Sequence, residues 1–586
     1  MIRPRRNRSP MKILLLSSAF NGLTQRAWLE LRAAGHCVSV ELAGSEDAII
    51  SAVAQFDPDL IICPFLRERV PAEVWTRYRT IIVHPGPKGD RGPSSLDWAI
   101  TTGESRWGVT ALQAVEEMDA GPIWGSRTFP LEPGALRKGA VYNGPVADAA
   151  IDLISDVVTK AADPSFTPEP LDYAKPDVIG RLRPAMRASD REFSWSDPTD
   201  EILRRIRAAD GSPGAATTIC NVPMSVFDAH RGPTLPGLPG TILLRHHGAV
   251  LVRTGDGGVW IGQVRTKGAV KLPATLALAP HLKGVPDQLR PLEEPSDAGG
   301  RREIRYHLEG EVGVLSFAFY NGAMSTEQCR RLDTALRHAT TQSTKVLVIR
   351  GGEVFSNGIH LNLIDAAPAP AFEAWRNINA IDDVCRRIIT CASQLVVTSV
   401  SGNAGAGGVM LALGADRVIV RDRVVLNPHY QTMGLYGSEY WTYVLPRRVG
   451  DIEAARLTEQ CLPISAAHAG QIGLADKVQP GSPDEFEESV LEYAAHLAAS
   501  DQYQRLLEQK RAGRAAAERR KPLEAYRVEE LAEMSRDIFD DRHGFADARR
   551  AFVTKRKSTS TPARLALHRP SAPLRLDVGD EARYAS

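Results

Sequence analysis

His84-Pro85-Gly86 and Met118-Asp119-Ala120-Gly121 set an imidazole and a carboxylate in two glycine-bearing turns. Such a pair can stabilise a developing oxyanion and manage its protons. His84 would be the donor, and Asp119 the group that orients the imidazole or takes a proton. Gly86, Gly89 and Gly92 let a substrate approach the backbone closely. A second set lies far along the chain: Phe355-Ser-Asn-Gly-Ile-His-Leu361, then Val400-Ser-Gly-Asn-Ala-Gly-Ala-Gly-Gly-Val-Met-Leu411. Glycine-rich turns like these can aim backbone N–H groups at a carbonyl oxygen; equally, they can serve only tight packing.

These residues need elements to position them. Strands are predicted over Lys12 to Leu16, Val38 to Leu42, Leu60 to Cys63 and Thr80 to Val83, with a helix from Gln25 to Ala34 stopped by Gly35. Strands alternating with helices imply a parallel, helix-covered sheet of Rossmann type, with sites at the carboxyl ends of its strands. His84 falls one residue past such a strand. Residues 188–285 change character. A helix begins near Trp195, with Ser196 or Asp197 as its cap and Pro198 in its first turn. Short strands follow over Ala216 to Cys220, Ser225 to Phe227, Gly240 to Leu244, Val250 to Arg253 and Val259 to Val264, a pattern that suggests a small barrel. The expectation is an α/β multidomain chain: a Rossmann-like domain over 11–187, a small β-barrel over 188–285, a linker over 286–303, an α/β domain with C-terminal helices over 304–557, and a disordered Ser/Thr/Pro/Arg-rich tail over 558–586.

The 586 residues suit three to four domains at ~100–200 residues each. The 71 Lys and Arg balance 70 Asp and Glu, so charge gives no signal for nucleic acid or membrane. Seven cysteines are scattered, none in Cys-x-x-Cys spacing, which argues against a disulfide framework or a metal site and fits a reducing, cytoplasmic setting. Met11-Lys-Ile-Leu-Leu-Leu16 is too short for a signal-peptide core or a membrane span. Residues 1–10 are basic and irregular, as a disordered arm or a start at Met11 would be.

The first set of residues continues through Arg91-Gly-Pro-Ser-Ser-Leu-Asp-Trp-Ala-Ile100, Trp107-Gly-Val-Thr110 and Met118-Asp-Ala-Gly-Pro-Ile123. It resembles the formyl-tetrahydrofolate formyltransferases over about residues 11–285. The barrel part contributes Phe193-Ser-Trp195, Arg205-Ile-Arg-Ala208, Pro213-Gly-Ala215 and Gly255-Asp-Gly257, and is OB-like. The resemblance implies 10-formyl-tetrahydrofolate as one-carbon donor, His84 and Asp119 as catalytic groups, and folate contacts from Gly86, Pro87, Arg91 and Gly92. Two departures matter. Ile82 stands where the family has Asn, and Gly86-Pro-Lys-Gly89 replaces a Ser-Leu-Leu-Pro loop that is one residue longer. The changed loop argues against a charged tRNA as acceptor; Asn21 or Gln113 is the candidate to replace the amide.

The second set, flanked by Lys345-Val-Leu-Val-Ile-Arg-Gly351 and Ala415-Asp-Arg-Val-Ile-Val420, resembles the enoyl-CoA hydratase (crotonase) family over about residues 304–557. This implies a coenzyme A thioester held by the N–H groups of Ile359 and Gly407, the latter at a helix N-terminus. Hydratase glutamates are missing: Val409-Met410 and Asn427-Pro-His-Tyr-Gln431 stand in their places. Hydration is therefore not expected. Tyr430, near the second lost glutamate, and Glu439, about two helical turns on, are the candidates to contact the acyl group and to take or orient a proton. His429, Tyr436 and Tyr440 crowd the same stretch, where an aromatic wall is the alternative.

Both modules in one chain, with Gly437-Ser-Glu-Tyr-Trp-Thr-Tyr443 present, resemble the HypX family of hydrogenase maturation factors. That resemblance implies transfer of formyl from 10-formyl-tetrahydrofolate to coenzyme A, then decarbonylation of formyl-CoA to CO and CoA for the nickel–iron hydrogenase. Partners would be these small molecules and other hydrogenase maturation proteins, with no metal. Phosphates of CoA would meet Arg204 and Arg207 of the barrel helix, or Arg542 and Lys555 further on. The alternatives are a formyl-CoA synthase or hydrolase that releases formate, a scaffold that binds CoA and folate, and a tRNA formyltransferase with a fused domain.

Overall fold

The computed structural model describes residues 10–132, 136–293, 301–558 and 560–569. The basic arm to residue 9, residues 294–300 of the expected linker and the end of the tail lie outside them. No helix of the described residues is long and apolar enough to cross a membrane.

The early apolar runs become buried strands. Cys37–Leu42, Lys12–Ser17, Leu60–Cys63 and Thr80–His84 lie parallel in that order. Ile13 and Leu15 face one core, Leu14 and Leu16 the other, which is why the run is apolar without alternation. Arg106–Gln113 and Ile123–Pro130 then extend the sheet antiparallel, so the expected parallel sheet is mixed. His84 ends its strand and pairs with Thr110 across it.

The second sheet runs Ala215–Ile219, Val222–Gly232, Gly258–Thr266, Ala249–Arg253, Ile242–His246, with Leu272–Pro273 beside Gly258–Thr266. Among the described residues its pairing is an open path rather than a closed ring. Helix Thr199–Ala209 packs Ile202, Leu203 and Ile206 into the core of this unit. Its cap differs from the expected Ser196 or Asp197. Asp256 accepts the Thr199 N–H at 2.8 Å and its hydroxyl at 2.6 Å. A side chain at Gly255 would meet the Ser196 carbonyl, so only glycine lets this turn press on the helix start.

The third sheet runs Ile304–Glu309, Val312–Phe317, Val346–Arg350, Leu395–Val400, Arg417–Arg421, Lys477–Gln479; all but the first pair are parallel. A small sheet above it pairs Val354–Ser356 in parallel with Asn403–Gly405, and that strand with Val425–Asn427. This pairing brings the two glycine-rich loops together.

Two expectations change. The linker end is not loose: Arg301 and Glu303 are buried, Arg301 bonding Asp228 and Glu303, and Glu303 accepting from Gln328 and Arg331. Nor is the whole tail disordered. Residues 560–569 cover the edge strand Cys37–Leu42. The Val40 N–H donates to the Leu565 carbonyl and the Leu42 N–H to Thr561. His568 bridges Ser39 and Glu41, Arg569 bonds both Glu41 oxygens, and Leu565 enters the N-terminal core. An edge strand with free backbone groups and a buried carboxylate explains why a short polar segment docks there. Leu565→Ala should cost about 2–4 kcal/mol of N-terminal stability. Hydrogen exchange across residues 37–42 checks it: protection equal to the parent protein would mean that the segment adds nothing.

Candidate active sites

His84 sits between two carboxylates. Its Nε2 is 2.8 Å from Asp90 and its Nδ1 is 3.5 Å from Asp119. Asp119, in a left-handed backbone conformation at φ 53°, also accepts the Gly92 N–H at 3.1 Å. Burial alone would lower the His84 pKa, but the Asp90 bond and the charges of Asp119 and Asp90 raise it above its ordinary value. Asp90 directly follows the shortened loop. A Cβ at Gly86 would fall 2.3 Å from Asp90 Oδ2 and 2.7 Å from His84 Nε2, so glycine there is what admits the pair. Arg183 lies 3.9 Å from the other Asp90 oxygen and rests on Trp107.

His84 and Asp119 open onto a cavity of about 970 Å³, large enough for a cofactor-sized substrate. Asn21, Ile82, Gly92, Lys138, Tyr142 and Asp210 also line it. Of the four expected folate contacts only Gly92 does. Gly86 and Pro87 shape the turn behind His84, while Arg91 is held by the Met118 carbonyl and Glu117. The Asn21 side chain caps helix Gly22–Ala33 and reaches Tyr142; Gln113 faces Trp124, away from the cavity. The expected phosphate contacts separate in the same way. Arg207 bonds the Ala229 carbonyl, Arg542 is matched by Glu533 and Asp537, and Arg204 is not part of the cavity wall. Lys555 alone stands close by. Burial, then the charges of Arg265, Arg67 and Lys138, lower its pKa, and the last two residues line the cavity.

In the second site Gly358 and Gly407 are neighbours: a Cβ on Gly358 would lie 3.4 Å from the Gly407 nitrogen. Gly407 begins helix Gly407–Leu413. Among the described residues no loop or cap hydrogen bond uses the Ile359 or Gly407 N–H. A Cβ on Gly407 would meet Glu439 Oε1 at 2.1 Å, so the carboxylate lies directly against this glycine. Tyr430 donates to Glu439 Oε2 at 2.9 Å, and Ser438 donates through both its N–H and its hydroxyl. Glu439 is therefore not two helical turns from Tyr430. The helix is only the short turn Gln431–Met433, and the chain folds back through Gly434 and Gly437, both at positive φ. Burial raises the Glu439 pKa; burial and the Glu439 charge hold Tyr430 well above the ordinary phenol value. Tyr430 is thus a donor, and Glu439 the group able to accept. His429 is tied to the Asn427 carbonyl, and burial lowers its pKa. Tyr436 packs on Trp441.

The formyl transferase family matches residues 39–144, its C-terminal domain residues 185–279, and the enoyl-CoA hydratase/isomerase family residues 316–560. Hydrogenase maturation factor HoxX of Bradyrhizobium diazoefficiens is 43% identical over 564 residues, which cover 95% of this chain and 97% of that protein. The chain belongs to the HypX/HoxX family of hydrogenase maturation factors. The crystal structure of HypX from Aquifex aeolicus in complex with tetrahydrofolic acid superposes with a TM-score of 0.92 at 41% identity, covering 96% of this chain and 99% of that one. Methionyl-tRNA formyltransferase of Roseiflexus castenholzii is 35% identical over 188 residues, 31% of this chain and 57% of that protein. The HypX/HoxX likeness thus spans nearly the whole chain, whereas that of the tRNA enzyme covers less than a third of it.

Sequence reasoning missed Asp90, which bonds His84, and Asp210 in the cavity wall. Asp90 had a signal: it is the carboxylate directly after the shortened loop that follows His84. The raised His84 pKa gives a test. Asp90→Asn removes a negative charge from the imidazolium, so the His84 titration midpoint should move down, measured by NMR of the imidazole. An unmoved midpoint would mean that Asp90 does not hold the proton.

Proposed function

We propose that the N-terminal half transfers formyl from 10-formyl-tetrahydrofolate to the thiol of coenzyme A, and that the C-terminal half splits formyl-CoA into CO and CoA to supply the nickel–iron hydrogenase. The functional units would be residues 11–187, 188–285 and 304–557, in a cytoplasmic protein. The carrying observation is the Glu439 carboxylate against Gly407 with Tyr430 donating to it. The folate complex of the Aquifex relative supports the first step.

At the first site His84 and Asp119 face the cavity together. The sulfur attacks the formyl carbon, the C–N10 bond breaks, and the thiol proton passes to N10. His84, whose pKa its two carboxylates raise, is the donor to the oxyanion and to N10, and Asp119 takes the thiol proton. A CoA phosphate would find Arg67, Lys138 and Lys555 at the cavity.

At the second site the N–H groups of Ile359 and Gly407 polarise the formyl oxygen. Glu439 removes the formyl hydrogen as a proton. The C–S bond breaks with its electrons going to sulfur, CO leaves, and Glu439 returns the proton to the thiolate. No water is consumed, which agrees with the loss of both hydratase glutamates. Tyr430 steadies the carboxylate.

Formyl-labelled folate plus CoA should give labelled CO. His84→Ala or Asp119→Asn should cut tetrahydrofolate release about 10²–10⁴-fold. Glu439→Gln should stop CO while folate turnover continues and formyl-CoA accumulates. Labelled formate in place of CO would select a hydrolase, and absence of folate turnover a scaffold.

A further inference from the structure

Residues Tyr436–Thr442 carry Glu439 and are hung from side chains of two helices. Tyr436 donates its N–H to Asp537 at 2.7 Å and Gly437 to the Met534 sulfur at 3.1 Å. Glu439 donates to Asp382 at 2.8 Å; Tyr440 and Thr442 donate to Glu530 at 2.9 and 2.8 Å. Glu530, Met534 and Asp537 occupy one face of helix Leu523–Phe539, spaced four and three apart; Asp382 projects from helix Pro370–Thr390. Asp382, Glu530 and Asp537 are at most 1% exposed.

The suspended segment is strained where it matters. Glu439 and Tyr440 take φ 62° and 58°, consecutive non-glycine residues in the left-handed region. That conformation folds the Glu439 side chain back against Gly407. Side chains rather than a neighbouring strand hold it, so the acceptors on the two helices set where the carboxylate points. Acceptance by Glu530 also suits its place at the start of helix Trp441–Val449, where the first backbone N–H groups need acceptors from outside the helix.

We propose that Asp382, assisted by Glu530, is a positioning residue for the second site: its carboxyl holds the Glu439 backbone in the left-handed turn that aims the Glu439 carboxylate at Gly407. This rests on Glu439 being the proton acceptor of that site. Asp382 Oδ1 makes the bond, while Oδ2 is buried without a hydrogen bond, 3.8 Å from Arg527. Burial, then the charges of Glu439 and Glu530, push Asp382 well above the ordinary carboxylate range, against the pull of Arg527. A neutral carboxyl can hold the turn without placing a second negative charge beside Glu439.

The test uses the full-length chain. Asp382→Asn keeps an acceptor oxygen for the Glu439 N–H; Asp382→Leu removes it. CO output from formyl-CoA, folate turnover at the first site and backbone amide exchange across residues 436–442 are measured for each. The Leu variant should lose about 10²-fold in CO output, the scale expected when a reacting group is misplaced. Its exchange across the segment should rise, with folate turnover unchanged. The Asn variant should retain most of the CO output and the protection. Should Asp382→Leu fail to fold, Glu530→Gln and Glu530→Leu form the same pair for the Tyr440 and Thr442 N–H groups. Parent-like CO output and exchange in the Leu variant overturn the proposal, as does equal loss in Asn and Leu. If Glu439→Gln itself makes CO normally, the reading of Glu439 fails instead, and the exchange data still decide whether Asp382 holds the turn.

Discussion

A carboxylate removed from water must have its hydration replaced by donors, or it costs several kcal/mol. That constraint organises both halves of this chain. Asp90 and Asp119 are held in place by His84 and the Gly92 N–H, and in return fix the imidazole and its proton. Asp382, Glu530 and Asp537 take backbone N–H groups from the segment that carries Glu439. Glu41 does the same work at the sheet edge, where His568 and Arg569 satisfy it. In each case an acid on one element gains its partners from another element, so a loop is fixed without a regular ladder of backbone bonds.

The same logic joins the halves. Arg137, half-buried beside the cavity residue Lys138, bonds Glu353 and Asn321 and lies over the Tyr320 ring. Asn321 in turn accepts from Asn357 through its carbonyl, and Asn357 precedes Gly358 and Ile359 in the first glycine-rich loop. Asp210, in the cavity wall, accepts from Tyr320, which also accepts from Lys271. Asn362, three residues after Ile359, donates to the Lys271 carbonyl. A chain of polar contacts therefore runs from the first cavity's wall to the N–H loop of the second site. These contacts run from the buried Asp210 to the exposed Asn321 and Asn357.

What could be read in the sequence follows from the range of the signal. Strands such as Leu60–Cys63 declare themselves in a few adjacent residues, and glycine loops because close approach forbids a side chain: Gly407 against Glu439, Gly255 against the Ser196 carbonyl. His84, Asp119, Ile359 and Gly407 came from such local patterns. Asp382 and Glu530 did not. Their partners are 57 and 90 residues away, and in sequence each is one acid on an amphipathic helix. Arg542, one of the four expected phosphate contacts, shows the converse limit. Arg542 was chosen for its charge, but Glu533 and Asp537 on the preceding helix already neutralise it. The tail misled because its apolar content is slight, and docking depends on a strand edge and a buried Glu41 that lie at the opposite end of the chain.

The position of Glu439 also bears on how one scaffold can change its reaction. A hydratase loop places its acids beside the N–H pair from the segments that here read Val409-Met410 and Asn427 to Gln431. Those segments now supply an apolar wall and Tyr430. The carboxylate instead arrives from a later turn, backed by side chains of the C-terminal helices, and presses into the space that a Cβ at residue 407 would fill. A single buried acid with a raised pKa, hydrogen-bonded to a phenol that stays protonated, can take up a proton and give it back. It lacks the second acid that activation and addition of water require. Under the proposed function, an acid that arrives from another loop would change the chemistry available at the same N–H pair.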